Sequence, residues 1–198
     1  MPAPDPSRRS VRSRDAILGA ARDLVGDVGF QRLTVEAIAS RAGVGKQTIY
    51  RWWPSKGAVV FDAILDANAG PDGDHALPDT GDLHADLRTV LRAIVAELTD
   101  PATDVLQRAV TAEIQTDEPL ARELVDRLLR PQLDATAARL RVAREAGQLD
   151  AVVDAELAAE LLFGPVFHRW LLRTGPLDEA YADRLVDAVL SGVAPRVA

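Results

Sequence analysis

The sequence predicts an all-α protein. Apolar residues recur at steps of three and four along most of the chain, which is the period of a helix with one buried face. Ile17, Ala21, Leu24 and Val28 show this stripe clearly. Capping residues and glycines separate such segments, and no segment has the convincing two-residue alternation of a strand. We therefore expect about nine helices and no sheet.

The expected elements follow one another with short breaks. Residues 1–9 are rich in proline and charge and are expected to form a mobile arm. The first helix is expected from Val11 to the glycines at 26 and 29. Later helices are expected over residues 34–42, 46–53, 55–67, 84–99, 103–116, 117–147, 154–173 and 177–192, with a loop over 68–82 and a kink or break at Pro131.

Composition excludes several classes of protein. The chain has 198 residues, 47% of them hydrophobic and 27% charged, so it can bury a sizeable core. With no cysteine, it has neither disulfides nor thiolate metal sites. No uncharged stretch approaches the roughly 20 residues of a membrane-spanning helix, and no apolar segment of a secretory signal is visible at the N-terminus. We expect a soluble, cytoplasmic protein that has no membrane partner.

Charge is unevenly distributed along the chain. Residues 1–60 contain eight Arg and two Lys against four Asp and one Glu, a net charge of +5. Since the whole chain carries −7, the remaining 138 residues carry −12. A basic first third joined to an acidic body suggests a module for a polyanion such as nucleic acid.

Residues 34–53, TVEAIASRAGVGKQTIYRWW, have the pattern of a helix-turn-helix. Thr34 is a good N-cap, and Gly43 can supply the positive φ of a tight turn. At 100° per residue, Ile49 can pack inward together with the two tryptophans at 52 and 53. Four side chains then face outward and suit the major groove of DNA, where they reach base edges and phosphates: Lys46, Gln47, Tyr50 and Arg51.

Residues 11–57 resemble the DNA-binding domain of the TetR family of transcriptional regulators, through AILGAARDLVGDVGF, LTVEAIASRAGVGKQTIYRWW and PSK. The resemblance implies a homodimer, a palindromic DNA operator, and a C-terminal helical domain that binds a small apolar or amphipathic effector. It implies DNA contacts by Gln47, Thr48 and Tyr50, and a phosphate contact by Lys56. The chain departs from the family pattern at Gly45, where Ser is common, and at Trp52, where His or Tyr is common.

The sequence therefore predicts a ligand-responsive regulator, most simply a repressor, with a helix-turn-helix domain over residues 10–56 and an effector and dimerisation domain over 57–198. An effector is expected to shift the separation of the two recognition helices of the dimer. The candidate DNA-binding residues are Thr34, Lys46, Gln47, Thr48, Tyr50, Arg51, Trp52 and Lys56.

Effector and dimer contacts are predicted on the later helices. The candidate pocket residues are Phe61, Leu91, Ile94, Val110, Ile114, Phe163, Phe167, His168 and Trp170. His168 could instead be a core histidine, which is the better expectation of the two. The last two helices each present a broad apolar face that could pair in a four-helix bundle. The candidate dimer contacts on them are Leu161, Val166, Tyr181, Leu185 and Val189.

The sequence leaves three alternatives beside this hypothesis: an enzyme or carrier, a non-specific DNA binder, and a metal site. A helical enzyme or small-molecule carrier could retain a degenerate helix-turn-helix, but the basic recognition face is intact and no enzyme motif is present. A non-specific DNA binder is disfavoured by the net charge. A metal site on the acidic loop is less expected than a solvated loop; its candidate ligands would be Asp72, Asp74, His75, His84 and Asp86. We expect no enzyme activity, no metal and no cofactor beyond the unknown effector.

Overall fold

The computed structural model describes residues 6–68 and 77–193, and within them it is helical with no strand, as the sequence predicted. Residues 1–5 of the expected arm and 69–76 of the expected loop lie outside this description. The α-helices are α1 (Pro6–Val28), α2 (Val35–Ala42), α3 (Lys46–Tyr50), α4 (Lys56–Asn68), α5 (Leu83–Thr99), α6 (Pro101–Glu113), α7 (Glu118–Leu124), α8 (Arg130–Glu145), α9 (Ala155–Leu172) and α10 (Glu179–Val193).

Helix α1 begins earlier than predicted and ends at the second of the two glycines expected to mark its end. It begins at Pro6, so residues 6–9 are helical and do not belong to an irregular arm. Proline is well suited to the first turn of a helix, where its missing N–H would have no intrahelical partner. Gly26 lies inside α1, and the helix ends instead before Gly29, whose φ is 78°.

The disruption expected near Pro131 takes the form of a π-helical turn over Val125–Leu129. Helices α7 and α8 join through this turn into one helical segment over residues 118–145, close to the single long helix that was predicted. Proline supplies no N–H and its ring crowds the preceding turn, so a wider turn relieves both constraints.

The chain packs as two compact units, which do not coincide with the predicted division at residue 57. Unit 1 contains α1–α4, α6 and α7; unit 2 contains α5, α8, α9 and α10. Helix α4 belongs to unit 1 because its apolar side packs on α1 and α6. The division of function at residue 57 stays a prediction.

In unit 1, α1 is the central helix, packed against α2, α4 and α6. The stripe predicted on α1 points into this core: Ile17, Ala21 and Leu24 are all buried. Because α2 and α4 both pack on the same long helix, the helix-turn-helix rests on a rigid support.

In unit 2, α10 packs along α5 and α8 packs along α9. The core is built mainly from leucine and alanine of these four helices, with Trp170 at one end of the α9 contribution. On the surface of the α5–α10 contact, Arg92 forms two hydrogen bonds to the Asp183 carboxylate, at 2.8 and 2.6 Å.

A charged pair is buried in unit 2. Asp86 of α5 is 2% exposed and Arg139 of α8 is 7% exposed. The Arg139 Nη2 donates to Asp86 Oδ2 at 3.0 Å and also lies 3.1 Å from the Asp79 carboxylate. Thr80 donates its hydroxyl to Asp86 Oδ1 at 2.7 Å and its backbone N–H to Oδ2 at 3.2 Å. The pair therefore ties the segment before α5 and α5 itself to α8.

Candidate nucleic-acid interface

The turn between α2 and α3 has the geometry that the sequence predicted. Thr34 caps α2, since its side chain accepts a hydrogen bond from the Ala37 N–H at 3.1 Å. Gly43 ends α2 in the left-handed region with φ of 66°. A backbone hydrogen bond from Val44 to Ala39, 3.0 Å long, closes the turn. These local bonds set the angle at which α3 leaves α2.

Gly43→Val is expected to destabilise unit 1 by more than about 1 kcal/mol, because a β-branched residue is strained at positive φ. A Cβ at Gly43 meets no atom within 4 Å, so the effect isolates backbone strain. The matched control is Gly26→Val. Gly26 is at an open position inside α1, where glycine and valine differ little in helix propensity. Thermal melts followed by circular dichroism measure both, and equal melting curves for the two variants would contradict this role for Gly43.

Helix α3 is held from below by two side chains. Ile49, on the inner side of α3 itself, is fully buried, and Trp53, just after the end of α3, is 4% exposed. The indole N–H of Trp53 donates to the Asp62 carboxylate of α4 at 2.9 Å. Trp52, which was expected to pack inward as well, is only half-buried and stacks at an angle against Trp53 with ring centroids 5.5 Å apart.

The predicted DNA-contacting side chains lie together around α3 and the start of α2. Apart from Lys56, which is half-buried and is described below, five of them are exposed and two, Thr48 and Trp52, are half-buried. Tyr50 is 51% exposed, so its ring and hydroxyl are accessible to a partner. We call this set the recognition surface: Thr34, Lys46, Gln47, Thr48, Tyr50, Arg51 and Trp52. It combines cations, an amide, hydroxyls and aromatic rings, which can bind phosphates and base edges.

Lys56 has internal partners that the sequence did not reveal. Its Nζ donates to the carbonyl oxygens of Phe30 at 2.9 Å and Leu33 at 3.1 Å, and lies 4.4 Å from the centre of the Phe30 ring. The ammonium group therefore stabilises the 3₁₀ turn between α1 and α2. The phosphate contact of Lys56 stays a prediction, and only one of its three donors is left for it.

Lys46 also has a partner on the protein. Its Nζ lies 2.9 Å from the Oε1 of Glu36 in the first turn of α2. The hydrogen bond and the charge of Lys46 lower the pKa of Glu36, and Glu36 in turn raises the pKa of Lys46. Both groups are therefore charged at neutral pH. A carboxylate thus lies at the edge of the recognition surface, beside one of its two cations.

The predicted effector residues are divided between the two units. Three lie in unit 1, where Phe61 and Val110 are fully buried core residues and Ile114 is half-buried. The other six lie in unit 2 with different exposures: Leu91 and Trp170 are buried, Ile94 and Phe163 are partly buried, and Phe167 and His168 are exposed. The expectation that His168 is a core histidine is wrong, because the side of α9 that it occupies faces outward.

Unit 2 carries two adjoining clefts that the sequence did not indicate. One, of about 480 Å³, lies between the start of α5 and the end of α8, lined by Gly81, Asp82, Leu83, His84, Gln148, Leu149 and Leu190. The other, of about 510 Å³, is lined by His84, Arg88, Asp187, Leu190 and Ser191. His84 and Leu190 border both clefts, which combine apolar walls with charged groups.

The predicted dimer contacts divide into two groups. Leu161 is 48% exposed, whereas Val166 is 1% exposed and belongs to the core of unit 2, so its assignment to the dimer interface is wrong. Val166 is buried because it lies on the side of α9 opposite Leu157. Tyr181, Leu185 and Val189 of α10 are partly buried against the same core.

Tyr181 is further engaged within unit 2. Its hydroxyl lies 3.4 Å from the Pro165 carbonyl oxygen, to which it donates, and the Arg169 guanidinium stacks 3.8 Å from its ring centre. The exposed apolar side of α9 is instead formed by a row of residues that recur at helical spacing, and we call it the α9 row: Leu157, Leu161, Phe167, Leu171 and Leu172, each 40% to 58% exposed.

Metal and membrane sites can be assessed for the described part of the chain. In residues 6–68 and 77–193, no three acidic or histidine side chains are grouped to bind a metal ion. His84 lies 2.7 Å from Asp187, and the other expected loop ligands, residues 72, 74 and 75, fall outside the described ranges. Over the same ranges, no helix combines the length and apolar character needed to cross a bilayer.

Comparison with known proteins gives matches over almost the whole chain. The family described as bacterial regulatory proteins, tetR family, matches residues 17–63. The family described as tetracyclin repressor-like, C-terminal domain, matches residues 77–189. The first match covers the helix-turn-helix and its support, and the second covers α5 to most of α10.

Individual relatives agree with these matches. The HTH-type transcriptional regulator YdeS of Bacillus subtilis is 34% identical over 93% of this chain and 91% of its own length. A DNA-binding transcriptional repressor TetR of Mycobacteroides abscessus is also 34% identical, over 93% of this chain and 94% of its own. Among solved structures, the TetR family transcription regulator SCO0332 is 36% identical with a TM-score of 0.71, covering 92% of this chain and 99% of its own. The flavonoid-responsive regulator FrrA is 26% identical with a TM-score of 0.68, covering 94% and 99%.

Proposed function

Because this chain belongs to the TetR family of DNA-binding transcriptional regulators, we propose that it represses transcription by binding a palindromic operator as a homodimer. The recognition surface is the observation that carries the proposal, since its exposed cation, amide and phenol groups stand on a helix-turn-helix of the expected geometry. Repression is supported by the 34% identical relative of M. abscessus, which is named as a repressor. Its place of action would be the cytoplasm, where chromosomal DNA is found.

A two-fold operator follows from a two-fold protein. Members of this family bind DNA and dimerise, and the α9 row offers this chain an exposed apolar surface that a second copy would cover. Two helix-turn-helix units related by a two-fold axis contact half-sites separated by about one turn of DNA or a multiple of it. The proposed dimer contacts are Leu157, Leu161 and their neighbours in the α9 row.

We also infer that a small amphipathic molecule regulates DNA binding. The flavonoid-responsive neighbour supports a ligand of this kind, and the cleft of unit 2 between the start of α5 and the end of α8 offers leucine walls beside His84 and Gln148. The effector would act by shifting the population between conformations of the dimer that differ in DNA affinity. Compounds that release the protein from its selected DNA sites would identify the ligand class. A regulator of this kind needs no catalytic activity, and we propose none.

Tyr50→Ala is expected to weaken binding to the selected operator roughly tenfold, because an exposed side chain of the recognition helix is removed. The operator is first obtained by selecting bound duplexes from random DNA, and fluorescence anisotropy then gives the affinity. Val142→Ala is the matched control: Val142 is also 51% exposed but lies on α8. Equal operator affinity of the two variants would contradict the assignment of the recognition surface.

Lys56→Ala is unsuitable as a test of DNA contacts. Its removal would leave the carbonyls of Phe30 and Leu33 without their present donor. A loss of DNA binding in that variant could arise from a displaced 3₁₀ turn as readily as from a lost phosphate contact.

A further inference from the structure

The pairing of Lys46 with Glu36 places opposite charges at the edge of the recognition surface. The two atoms that pair, Nζ and Oε1, are 2.9 Å apart, although the residues are ten positions apart in sequence. Both side chains are well exposed, at 53% for Lys46 and 60% for Glu36. The pair is therefore accessible to a DNA duplex that approaches α3, and burial does not hold it in place.

Each partner is fixed to a different helix of the motif. Glu36 stands in the first turn of α2, two residues after the cap Thr34. Lys46 is the first residue of α3, whose N-cap Gly45 has no side chain to bond the helix. The ion pair thus joins the beginnings of the two helices and orients the Lys46 ammonium from outside the recognition helix.

The carboxylate changes what Lys46 offers to DNA. An ammonium group has three donors, and the bond to Glu36 leaves two for base edges or phosphates. A negative charge 2.9 Å away also cancels most of the attraction of Lys46 for phosphates at longer range. Attraction to phosphates is independent of sequence, whereas short contacts with base edges carry the sequence information.

We propose that Glu36 is a specificity-determining and positioning residue of this regulator. It holds Lys46 for contact with its operator and reduces the affinity of the recognition surface for DNA of any other sequence. The lowered pKa of Glu36, caused first by the hydrogen bond from Lys46, keeps the carboxylate charged at neutral pH.

Glu36→Gln tests the proposal directly, because it removes the charge and preserves the size of the side chain. The probes are a random-sequence duplex of roughly 30 base pairs, long enough for two half-sites, and a duplex selected by the wild-type protein. On random DNA, the variant is expected to bind on the order of fivefold more tightly, and its plot of log affinity against log salt to steepen by about 1.8, the value for one additional phosphate contact in each of the two subunits. The ratio of affinities for selected and random DNA is expected to fall severalfold.

The double variant Glu36→Gln with Lys46→Gln separates charge from position. It has the wild-type net charge, so its affinity and salt slope on random DNA are expected to return to near the wild-type values. Its preference for the selected duplex is expected to stay low, because the positioned ammonium is absent. Lys46→Gln alone leaves a bare carboxylate facing phosphates and is expected to weaken binding to both duplexes.

Glu156→Gln is the control for the change of charge. Glu156 also belongs to an exposed ion pair, with Arg141 at 2.6 Å, but it lies on α9 in unit 2. It is expected to leave the salt slope and the DNA preference unchanged. Circular dichroism melts of all variants verify that each remains folded.

Three results would overturn the inference. A random-DNA affinity and salt slope of Glu36→Gln equal to wild type would show that the carboxylate does not limit Lys46. Weaker binding to the selected duplex alone would indicate that Glu36 itself reads a base, as a carboxylate can by accepting from cytosine. Wild-type protein that binds neither duplex in a salt-dependent manner would contradict the DNA-binding assignment of the whole surface, which the first two results leave intact.

Discussion

Replacing Arg139 by Leu is expected to destabilise unit 2 by about 3 kcal/mol, because it leaves the buried Asp86 carboxylate without its charged partner. The remaining hydrogen bonds from Thr80 satisfy part of that carboxylate but carry no positive charge. The double replacement Asp86→Leu with Arg139→Leu removes both charges and is expected to recover much of the loss. Arg141→Leu is the control, since its ion pair with Glu156 is exposed and its removal should have little effect.

Urea unfolding followed by circular dichroism, at fixed protein concentration, measures these differences. Hydrogen exchange shows where in the chain the stability is lost, because the loss of amide protection in Arg139→Leu should concentrate in α5 and α8. A variant with unchanged unfolding and exchange would show that the buried pair does not hold these helices together.

The destabilisation caused by Arg139→Leu should depend on pH in a defined direction. Burial opposes the ionisation of Asp86, but hydrogen bonds from Thr80 and Arg139 outweigh it and lower its pKa. Because the pKa is lower in the folded than in the unfolded chain, this contribution is complete above the unfolded value near ~4 and is lost as pH falls below it. In Arg139→Leu, burial should raise the pKa of Asp86 instead, so acid relieves the penalty. The stability difference between wild type and variant is therefore expected to be largest near neutral pH and to shrink toward pH ~4.

Leu161→Glu, combined with Leu157→Glu, is expected to convert the protein to folded monomers that bind the operator at least about 100-fold more weakly. Two charges in the α9 row cannot be buried against a second copy without a large desolvation penalty. A monomer engages one half-site and loses the effective concentration that links the second. Analytical ultracentrifugation measures the assembly, circular dichroism the helical content, and fluorescence anisotropy the operator affinity.

The choice of these two leucines follows from the structure. Glutamates at Leu185 and Val189 would disturb the core of unit 2, against which both side chains are partly buried, so the loss of a dimer could not be separated from unfolding. Val152→Glu is the control, at a position that is 84% exposed and outside the α9 row. A dimer that survives both charges, or a wild type that is monomeric at micromolar concentration and on DNA, would contradict the proposed interface.

The helix-turn-helix was predictable because its determinants are local. The N-cap at Thr34, the left-handed turn at Gly43 and the buried Ile49 depend on neighbours within a few residues, and the structure has all three. Helix boundaries were also close to prediction wherever caps and glycines mark them. The start of α1 was missed because Pro6 was taken as a residue of an irregular arm, although proline equally suits a first helical turn.

The predicted effector and dimer residues are spread over cores and exposed surfaces for a physical reason. Periodicity shows that a helix has an apolar face, but it does not show which other helix covers that face. Val166 and Leu161 are both apolar residues of α9. Val166 lies in the core of unit 2, whereas Leu161 is exposed. Phe61 and Val110 satisfied the chemistry of a pocket wall but are enclosed in the core of unit 1. Apolar residues in a pocket, an interface and a core are chemically interchangeable, so their spacing alone cannot separate them.

By itself, the sequence determined the helical class, the helix-turn-helix, the outward set on α3 and the family, because these depend on local spacing and on short motifs. Tertiary structure alone decided which side chains meet across long separations in sequence. It brought Lys56 to the carbonyls of the 3₁₀ turn, Glu36 to Lys46, and Arg139 to Asp86, which lies 53 residues away. Such contacts are set by the packing of helices against one another, and the energy of a charge depends on that environment far more than on its neighbours in the chain.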